Sequence, residues 1–355
     1  MILTVTLNPA LDLTYRVDAL VQHATHRVAA VAERPGGKGL NVAAVLHSLG
    51  EPVLATGLLG GGTGQQVTTL LAREGVPAAF MPIAAETRRT VAVVDGLDAT
   101  GFWEPGPLVT AAEWAAFVAH FRELLGEASV VALSGSLPPG VPIDGYATLI
   151  RLAAAAGART VLDTSGEALR CGLAAGPDLA KPNAAELAEL VSTDPALVSA
   201  TPAGRAATSP TGRAAASPTG LAAADAAVPG VSGHAVDDAA VSGVFTGGRV
   251  GNASVVLELG ARAVVVSRGP LGLLAMTAAG AWHGVPPEKI AGNPTGAGDA
   301  CVAALARGLR DRTPWPDLLA DAVALSAAAV AAPGAGSVDH DTYRRLLPVV
   351  RVSAA

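Results

Sequence analysis

The segment Asn293–Ala300 reads Asn-Pro-Thr-Gly-Ala-Gly-Asp-Ala and runs into a helical pattern that extends to Leu309. Its small residues place successive backbone N–H groups at a helix start, where they can form an anion hole for a transferring phosphoryl group. Asp299 falls in the first helical turn. A carboxylate there can simply interact with the helix dipole, or it can accept the proton of an attacking hydroxyl, as phosphoryl transfer to an alcohol requires.

Around this segment, apolar runs typical of buried strands alternate with helical patterns. The predicted strands are Ile2–Leu7, Pro52–Leu58, Thr90–Val94, Ser129–Leu133, Thr160–Leu162 and Ala263–Ser267. The predicted helices are Leu40–Leu49, Gln66–Glu74, Ala111–Leu125, Tyr146–Ala156, Ala184–Val191 and Ala297–Leu309. This alternation predicts an α/β fold with a mostly parallel sheet and helices on both faces. Ligands of such sheets bind beyond the carboxyl ends of the strands.

A second glycine-rich loop, Pro35–Asn41, reads Pro-Gly-Gly-Lys-Gly-Leu-Asn and also opens onto a helical pattern. Its glycines let the backbone approach an anionic or polyhydroxyl ligand, and Lys38 adds an ammonium group. A plain tight turn is the alternative, but only three lysines occur in the chain, and both Lys38 and Lys181 lie in motifs. The spacings of a P-loop and of a dinucleotide-binding fingerprint are absent, which disfavours both classes.

Composition excludes several other classes. The 355-residue chain is 50% hydrophobic, carries a net charge of −6 and has no basic stripe, so nucleic-acid binding is not expected. Two cysteines are too few for a disulfide framework or a Cys-based zinc site, which favours a reducing cytoplasm. Neither a signal-peptide pattern nor an uncharged apolar run of membrane-spanning length occurs, so we expect no membrane association.

One segment departs from the alternation of strands and helices. Residues 192–252 are rich in Ala, Thr, Ser, Pro and Gly, and an eight-residue repeat reads TPAGRAAT, SPTGRAAA and SPTGLAAA across 201–224. Repeats this short hold no helix pair and no apolar face, so they cannot stack into a solenoid. We expect a flexible, exposed insertion, with a regulatory or partner-binding role as the alternative.

Motifs along most of the chain resemble those of the PfkB/ribokinase family of carbohydrate kinases. The loops at 36–41 (G-G-K-G-x-N) and 296–299 (G-A-G-D) carry the resemblance. Further matches, in chain order, are Thr6–Asp12, Ser134–Gly140, Leu162–Gly166, Lys181–Glu186 and Ser267–Gly272. The first segment and the Asp-Thr-Ser-Gly element are most similar to the hexose-phosphate branch, which holds 1-phosphofructokinase and tagatose-6-phosphate kinase.

The resemblance implies roles for residues at the catalytic and nucleotide positions. Those matching the catalytic base and its anion hole are Asp299, Gly296, Ala297 and Gly298. Those matching nucleotide-binding positions are Lys181, Asn183, Gly298 and the turn of Ser267, Arg268, Gly269, Pro270, Leu271 and Gly272. Asn183 and Glu186 would organise Mg²⁺ through water, since magnesium gives up its hydration shell reluctantly. Arg268 and Leu271 depart from the family pattern of the turn.

The residues that match the sugar-binding side are Asp12, Gly37, Lys38, Asn41 and Arg88. Asp12 would hold sugar hydroxyls, because a carboxylate accepts two directed O–H bonds at once. Arg88 would grip the phosphate of the substrate with parallel hydrogen bonds, and Arg27 is a second candidate, although either can be an ordinary surface charge. Leu13 and Trp103 depart from the residues common in the hexose-phosphate branch.

Taken as a whole, the resemblance implies an ATP- and Mg²⁺-dependent kinase acting on a hexose phosphate, first of all fructose 1-phosphate at its 6-hydroxyl. A kinase for tagatose 6-phosphate or fructose 6-phosphate is the alternative within catalysis. A catalytically weak sugar-phosphate sensor is the alternative from another class.

The implied fold is a single ribokinase-like domain over residues 1–345, with three layers and a small β lid from about 13–34 and 87–107. The resemblance also allows a homodimer through that lid.

Overall fold

The computed structural model describes residues 1–95, 98–192 and 253–355. The strands are β1 (Ile2–Thr6), β2 (Ala10–Arg16), β3 (Ala30–Gly36), β4 (Val53–Gly60), β5 (Met81–Ile83), β6 (Arg88–Val94), β7 (Ala99–Trp103), β8 (Val130–Ser134), β9 (Arg159–Asp163), β10 (Leu179–Ala180), β11 (Ala263–Ser267), β12 (Leu273–Thr277), β13 (Gly280–Val285) and β14 (Arg351–Ala354). The helices are α1 (Lys38–Ser48), α2 (Gly61–Arg73), α3 (Ala111–Leu124), α4 (Gly145–Ala155), α5 (Gly166–Leu173), α6 (Ala184–Ser192), α7 (Ala253–Glu258), α8 (Ala297–Asp311), α9 (Trp315–Ala331) and α10 (His340–Leu346). The expected insertion at 192–252 lies, apart from Ser192, outside the described residues.

Ten strands form one sheet in the order β14-β13-β12-β11-β10-β9-β8-β1-β4-β5. Every pair from β5 to β11 is parallel, and β12, β13 and β14 extend one side with antiparallel pairs. The prediction of a mostly parallel sheet flanked by helices is confirmed. Because the central strands are parallel, their carboxyl ends lie along one edge, where ligands of such sheets bind.

Helices cover both faces of this sheet, so its central strands are buried on both sides. Along β11, Ala263 and Val265 enter one hydrophobic layer, while Val264 and Val266 enter the other. Helices α1, α2, α8 and α9 contribute to the first layer, and α3 to α7 contribute to the second. This double burial explains why the strands appear in the sequence as unbroken apolar runs.

A second sheet has four strands in the order β3-β2-β6-β7, and we call it the small sheet. The segment Thr90–Val94, predicted as a buried strand, belongs to this sheet and is only half-buried, so that prediction is wrong in its burial. Among the described residues, helix α2 packs against β2 and β3 of the small sheet, whereas the β-branched residues of β6 stay partly exposed. Across it, Arg34, Asp12 and Thr90 are register partners on three adjacent strands.

In the described part of the chain, no helix is long and apolar enough to cross a membrane.

Candidate active site

The two glycine-rich loops meet through the side chains that follow them. Asn41, in the first turn of α1, donates a hydrogen bond from Nδ2 to Oδ2 of Asp299, in the first turn of α8, at 2.8 Å. Asp299 is buried, with only 7% of its surface exposed. The contact joins the residue predicted as the catalytic base to one predicted for the sugar side.

Burial and the nearby negative charge of Asp163 raise the pKa of Asp299 to about 7, against the hydrogen bond from Asn41 and the charges of two lysines. A carboxylate with a pKa near neutrality is present in both protonation states at physiological pH. It can therefore accept a proton and release it again, which is the property required of a general base.

The start of α8 adopts the geometry expected of a glycine-rich helix cap. Gly296 has φ 89°, in the left-handed region that favours glycine. A Cβ at Gly298 would lie 3.7 Å from Nζ of Lys181, so this glycine leaves room beside that ammonium group. Because the Ala297 N–H already donates to the Pro294 carbonyl at 3.2 Å, an anion here would be bound chiefly by the N–H groups that follow.

Asp163, at the end of β9, lies between two lysines. Its Oδ1 is 3.4 Å from Nζ of Lys38 and 3.3 Å from Nζ of Lys181, and its side chain is 1% exposed. Asp163 raises the pKa of Lys38 above its usual value; burial alone would lower the pKa of Lys181, but Asp163 and other acidic groups outweigh it. Both lysines are therefore held in the charged form.

The two lysines differ in access to solvent, since the side chain of Lys38 is 40% exposed and that of Lys181 is 4% exposed. Asp163 lies within the motif Leu162–Gly166, but no role was predicted for it from the sequence. Its position at the carboxyl end of a predicted strand is the signal that would have identified it.

Asn183 and Glu186 form a reciprocal cap at the start of α6. The Asn183 N–H donates to Glu186 Oε2 at 2.8 Å, and the Glu186 N–H donates to Asn183 Oδ1 at 2.8 Å. The second carboxylate oxygen, Oε1, is 3.8 Å from Nζ of Lys38. Carboxylate and amide oxygens are the ligand types that Mg²⁺ prefers, so this pair fits an ion held through its water shell.

The predicted nucleotide-binding turn lies beside this pair. The Ser267 N–H donates to the Pro182 carbonyl at 3.2 Å, and Ser267 forms a parallel β-bridge with Asn183. Gly269 and Gly272 have φ of 56° and 85°, and a Cβ at Gly272 would overlap the Gly284 carbonyl. Between these glycines, Pro270 and Leu271 form a single 3₁₀ turn, with Leu271 exposed. The Arg268 N–H closes the turn onto the Gly272 carbonyl at 3.0 Å.

On the small sheet, Asp12 has a polar neighbour on each side. The Thr90 hydroxyl donates to its Oδ1, and Nη2 of Arg34 lies 3.5 Å from its Oδ2. Neither neighbour was singled out by the sequence analysis, because the pairing of β2 with β3 and β6 places them there. Gly37, at the start of α1, has φ 117°, and a Cβ there would crowd Thr6 and Pro9.

Arg88 lies two residues before Thr90 on β6, on the same face of the small sheet. Its Nε and Nη2 donate to the Asn8 carbonyl at 3.3 and 3.2 Å. Burial lowers the pKa of Arg88, against the nearby charge of Asp12, but a guanidinium remains charged. Two of its donors are thus used within the protein, and the others remain for a ligand. Arg27, the second candidate, is exposed between β2 and β3.

If Asp12 holds sugar hydroxyls, as the family resemblance implies, Gly36→Ala should raise KM for the sugar at least about tenfold and leave KM for ATP nearly unchanged. The reason is that a Cβ at Gly36 would overlap the carboxylate of Asp12 and displace it. Gly126→Ala is the matched control, because no atom lies within 4 Å of a Cβ there. Steady-state kinetics with each substrate varied in turn measure the effect. Equal sugar KM values in the two variants would contradict it.

A parallel sheet with a buried carboxylate at a helix start, beside two lysines and a glycine cap, has the features of a sugar kinase, a phosphotransferase. The family model for pfkB family carbohydrate kinases matches residues 5–208 and 252–342. The chain belongs to this family, and the ribokinase-like three-layer fold expected from the sequence is confirmed.

Solved structures similar to the chain include phosphofructokinases. Phosphofructokinase-2 from Escherichia coli in complex with potassium is 28% identical, with 98% of each chain covered and a TM-score of 0.77. The same enzyme in complex with fructose-6-phosphate is 29% identical over 98% of each chain, with a TM-score of 0.75. A Thermotoga maritima protein described as a possible 1-phosphofructokinase is 23% identical and shares the fold, with a TM-score of 0.75 over 100% of this chain and 99% of that one.

Proposed function

We propose that this sugar kinase transfers the γ-phosphoryl group of ATP to a hexose phosphate, with fructose 1-phosphate as the leading substrate and its 6-hydroxyl as the acceptor. The observation that carries the proposal is the environment of Asp299: a buried carboxylate with a raised pKa, held by Asn41 at a glycine-capped helix start and influenced by the charges of two lysines. A sensor that only binds sugar phosphates has no need of such a carboxylate, which argues against the alternative of a weak catalyst.

In the proposed reaction, Asp299 takes the proton of the attacking substrate hydroxyl, while the oxygen of that hydroxyl forms a bond to the γ-phosphorus. The bond from that phosphorus to the bridging oxygen breaks, and ADP leaves with the electron pair. Asn41 orients the carboxylate by its hydrogen bond, so that one oxygen is held and the other is directed to the substrate. The proton returns to solvent after the sugar bisphosphate has left.

Charge that develops on the transferring group is stabilised by the start of α8 and by Lys181, with Lys38 on the more exposed side. Asp163 pairs with both ammonium groups, so that neither is left unpaired in the absence of substrate. Asn183 and Glu186 would hold Mg²⁺ through water. A bound Mg²⁺ would neutralise phosphate charge. The turn from Ser267 to Gly272 would hold the nucleotide through its backbone.

On the substrate side, Asp12 accepts hydrogen bonds from sugar hydroxyls, and Gly37 with Asn41 lines the same cleft. Arg88 binds the phosphate that the substrate already carries, using the donors that it does not spend on Asn8. The small sheet thereby supplies both the hydroxyl contacts and the phosphate contact. Substrate selection would depend on how that sheet sits above the main sheet.

Two further substrates stay open. Fructose 6-phosphate has direct support, because the Escherichia coli enzyme crystallised with it is 29% identical to this chain. Fructose 1-phosphate is favoured by the opening segment and the Asp-Thr-Ser-Gly element, which are most similar to the hexose-phosphate branch, and tagatose 6-phosphate follows from the same likeness. Fructose 1-phosphate carries its phosphate on C1 and accepts at the 6-hydroxyl, whereas fructose 6-phosphate and tagatose 6-phosphate carry it on C6, accept at the 1-hydroxyl and differ from each other in configuration at C4.

A coupled assay of ADP release over these three sugar phosphates and their unphosphorylated sugars tests the proposal. We expect the highest kcat/KM with fructose 1-phosphate, and at least about tenfold lower values with the plain sugars, because they lack the charged contact to Arg88. A higher kcat/KM for another sugar phosphate would overturn the choice of substrate only. No ADP release with any of them would overturn the catalytic assignment.

The pH dependence of the reaction should report Asp299. As its pKa is raised to about 7, the carboxylate is mostly protonated below that pH and cannot accept the hydroxyl proton. We expect kcat to fall about tenfold per pH unit below pH 7 and to reach a plateau above about pH 8. Measuring kcat at saturation separates this from ionisation of the sugar phosphate, which occurs near pH 6. A kcat that is flat down to pH 5.5 would contradict the assignment.

A homodimer through the small sheet is a further part of the proposal. Large apolar side chains are exposed there, among them Val31 on β3 and Phe102 and Trp103 on β7. By register, Val31 and Phe102 fall on one face of the small sheet and Trp103 on the other. Exposed apolar patches are uncommon on monomers and mark interaction surfaces. A tetrameric form is known for the Escherichia coli enzyme. Light scattering of the purified chain measures the oligomeric state.

We also place the reaction in the cytoplasm. The two cysteines, Cys171 and Cys301, are both free, and Cys301 is buried in α8. Free cysteines suit a reducing compartment.

A further inference from the structure

Arg34 lies in none of the motifs that carry the family resemblance, yet it lies beside Asp12, the proposed sugar-binding carboxylate. It is the register partner of Asp12 across β2 and β3, and its Nη2 is 3.5 Å from Oδ2 of Asp12. On the other side of Asp12, the Thr90 hydroxyl binds Oδ1. The guanidinium therefore sets one side of a carboxylate whose direction decides where sugar hydroxyls bind.

The same guanidinium also contacts a loop outside the small sheet. Its Nη1 donates to the carbonyl of Ala335, in the loop Pro333–Ser337 between α9 and α10, which we call the 333–337 loop. A cavity of about 340 Å³ lies beside this contact and is lined in part by Arg34, Asn41 and Glu74. Arg34 thus lines this cavity where it joins the small sheet to that loop.

The 333–337 loop in turn contacts two residues next to Asp299: Gly296, which caps α8, and Asn41, which binds the carboxylate. A Cβ at Gly296, the cap of α8, would lie 2.6 Å from Cα of Ala335, so the two residues are in direct contact. A Cβ at Gly336 would lie 3.1 Å from Oδ1 of Asn41, the residue that binds Asp299. The loop therefore contacts the start of the helix that carries the base and the side chain that orients it.

We infer that Arg34 is a positioning residue that couples the sugar-binding carboxylate of the small sheet to the general base of the main sheet. It holds Asp12 by charge and holds the 333–337 loop by a hydrogen bond, so this side chain helps to set the distance between the sugar hydroxyls and Asp299. The inference rests on the proposed function, because it assigns Asp12 and Asp299 the roles given there.

The test compares Arg34→Met with Arg34→Lys and with Arg89→Met. Methionine keeps much of the aliphatic stem and removes every donor. Arg89 is a matched control on the same strand system, because it pairs with Glu104 at 2.8 Å but both side chains are exposed, and neither belongs to the site. Each variant is assayed with sugar phosphate and ATP varied in turn, and its melting temperature is measured alongside.

We expect Arg34→Met to lower kcat/KM for the sugar phosphate about 10- to 100-fold, because a misplacement of the reacting groups by an ångström has effects of that size. KM for ATP should stay within about twofold, since the nucleotide contacts lie elsewhere. Arg34→Lys should recover part of the loss, because an ammonium can pair with Asp12 but cannot bridge to Ala335 at the same time. Arg89→Met should match the wild type.

A merely structural role for Arg34 predicts a different pattern: a lowered melting temperature, equal losses for both substrates and no recovery with lysine. That pattern overturns the inference, as do sugar kinetics within twofold of the wild type in both Arg34 variants. If Arg34→Met does not fold, Arg34→Lys decides, with a sugar KM at least about threefold higher than that of Arg89→Met expected. An active wild type with unaffected Arg34 variants contradicts the coupling alone, whereas an inactive wild type contradicts the proposed function and this inference with it.

Discussion

Asp299→Asn should lower kcat by about 10²–10⁴-fold while KM for ATP changes less than about threefold. Asparagine keeps the size of the side chain and can still contact Asn41, but it cannot accept the proton of an attacking hydroxyl. The nucleotide contacts proposed for Lys181 and for the Ser267–Gly272 turn do not involve the lost charge directly. Steady-state kinetics of ADP release, with ATP and sugar phosphate each varied, measure both quantities.

The alternative for Asp299 is that it only interacts favourably with the dipole of α8. That role predicts a loss of stability of about 0.3–1 kcal/mol and little change in kcat. Asp317→Asn supplies the control, because Asp317 is an exposed carboxylate in the first turn of α9. Turnover of Asp299→Asn within threefold of the wild type, as expected of Asp317→Asn, would show that Asp299 is not the base.

Arg88→Ala should raise KM for a phosphorylated hexose about 10- to 150-fold and change KM for the unphosphorylated sugar little. The range corresponds to a charged hydrogen bond of roughly 1.5–3 kcal/mol, which only the phosphorylated substrate can form. Arg89→Ala is the control, since Arg89 is the next residue on β6 and pairs with Glu104 at the surface. Equal effects of Arg88→Ala on both sugars would mean that the side chain does not read the phosphate.

Lys38→Ala tests, in the same experiment, whether Lys38 contacts the bound sugar or the phosphate that is being transferred. Because Lys38 lies beside Asp163 and Glu186, its removal is expected to lower kcat as well as to raise KM for the phosphorylated sugar. A rise in the sugar KM without a change in kcat would mean that Lys38, like Arg88, only binds the sugar phosphate and does not act on the transferring group.

Much of the main sheet follows from the sequence, because its strands are buried on both faces and appear as unbroken apolar runs. The predicted strand Ala263–Ser267 coincides with β11, and Ser129–Leu133 is displaced from β8 by one residue at each end. The antiparallel strands β12 to β14 were not predicted. β13 and β14 are less completely buried, and β14 pairs with a partner far away along the chain, so the local pattern is weak there. β12 is as long and as buried as β11 and was simply missed.

The candidate site divides in the same way. Gly296–Asp299 and Gly36–Asn41 were recognised because glycine conformation and helix starts are local properties, written in a few consecutive residues. Asp163 and Arg34 were not assigned roles, because the neighbours that make them informative lie on other strands and loops. Burial of Asp299, and with it the raised pKa, is likewise a property of the assembled layers.

The sequence by itself therefore determined the α/β class, the two glycine-rich loops at helix starts and the family to which the chain belongs, since each depends on residue types at short, fixed spacings. Only the tertiary structure decided that one carboxylate stands between two lysines and that Arg34 joins the small sheet to the 333–337 loop. The physical reason is that strand order and register bring together side chains that are far apart along the chain, and the charge and burial of each depend on those neighbours.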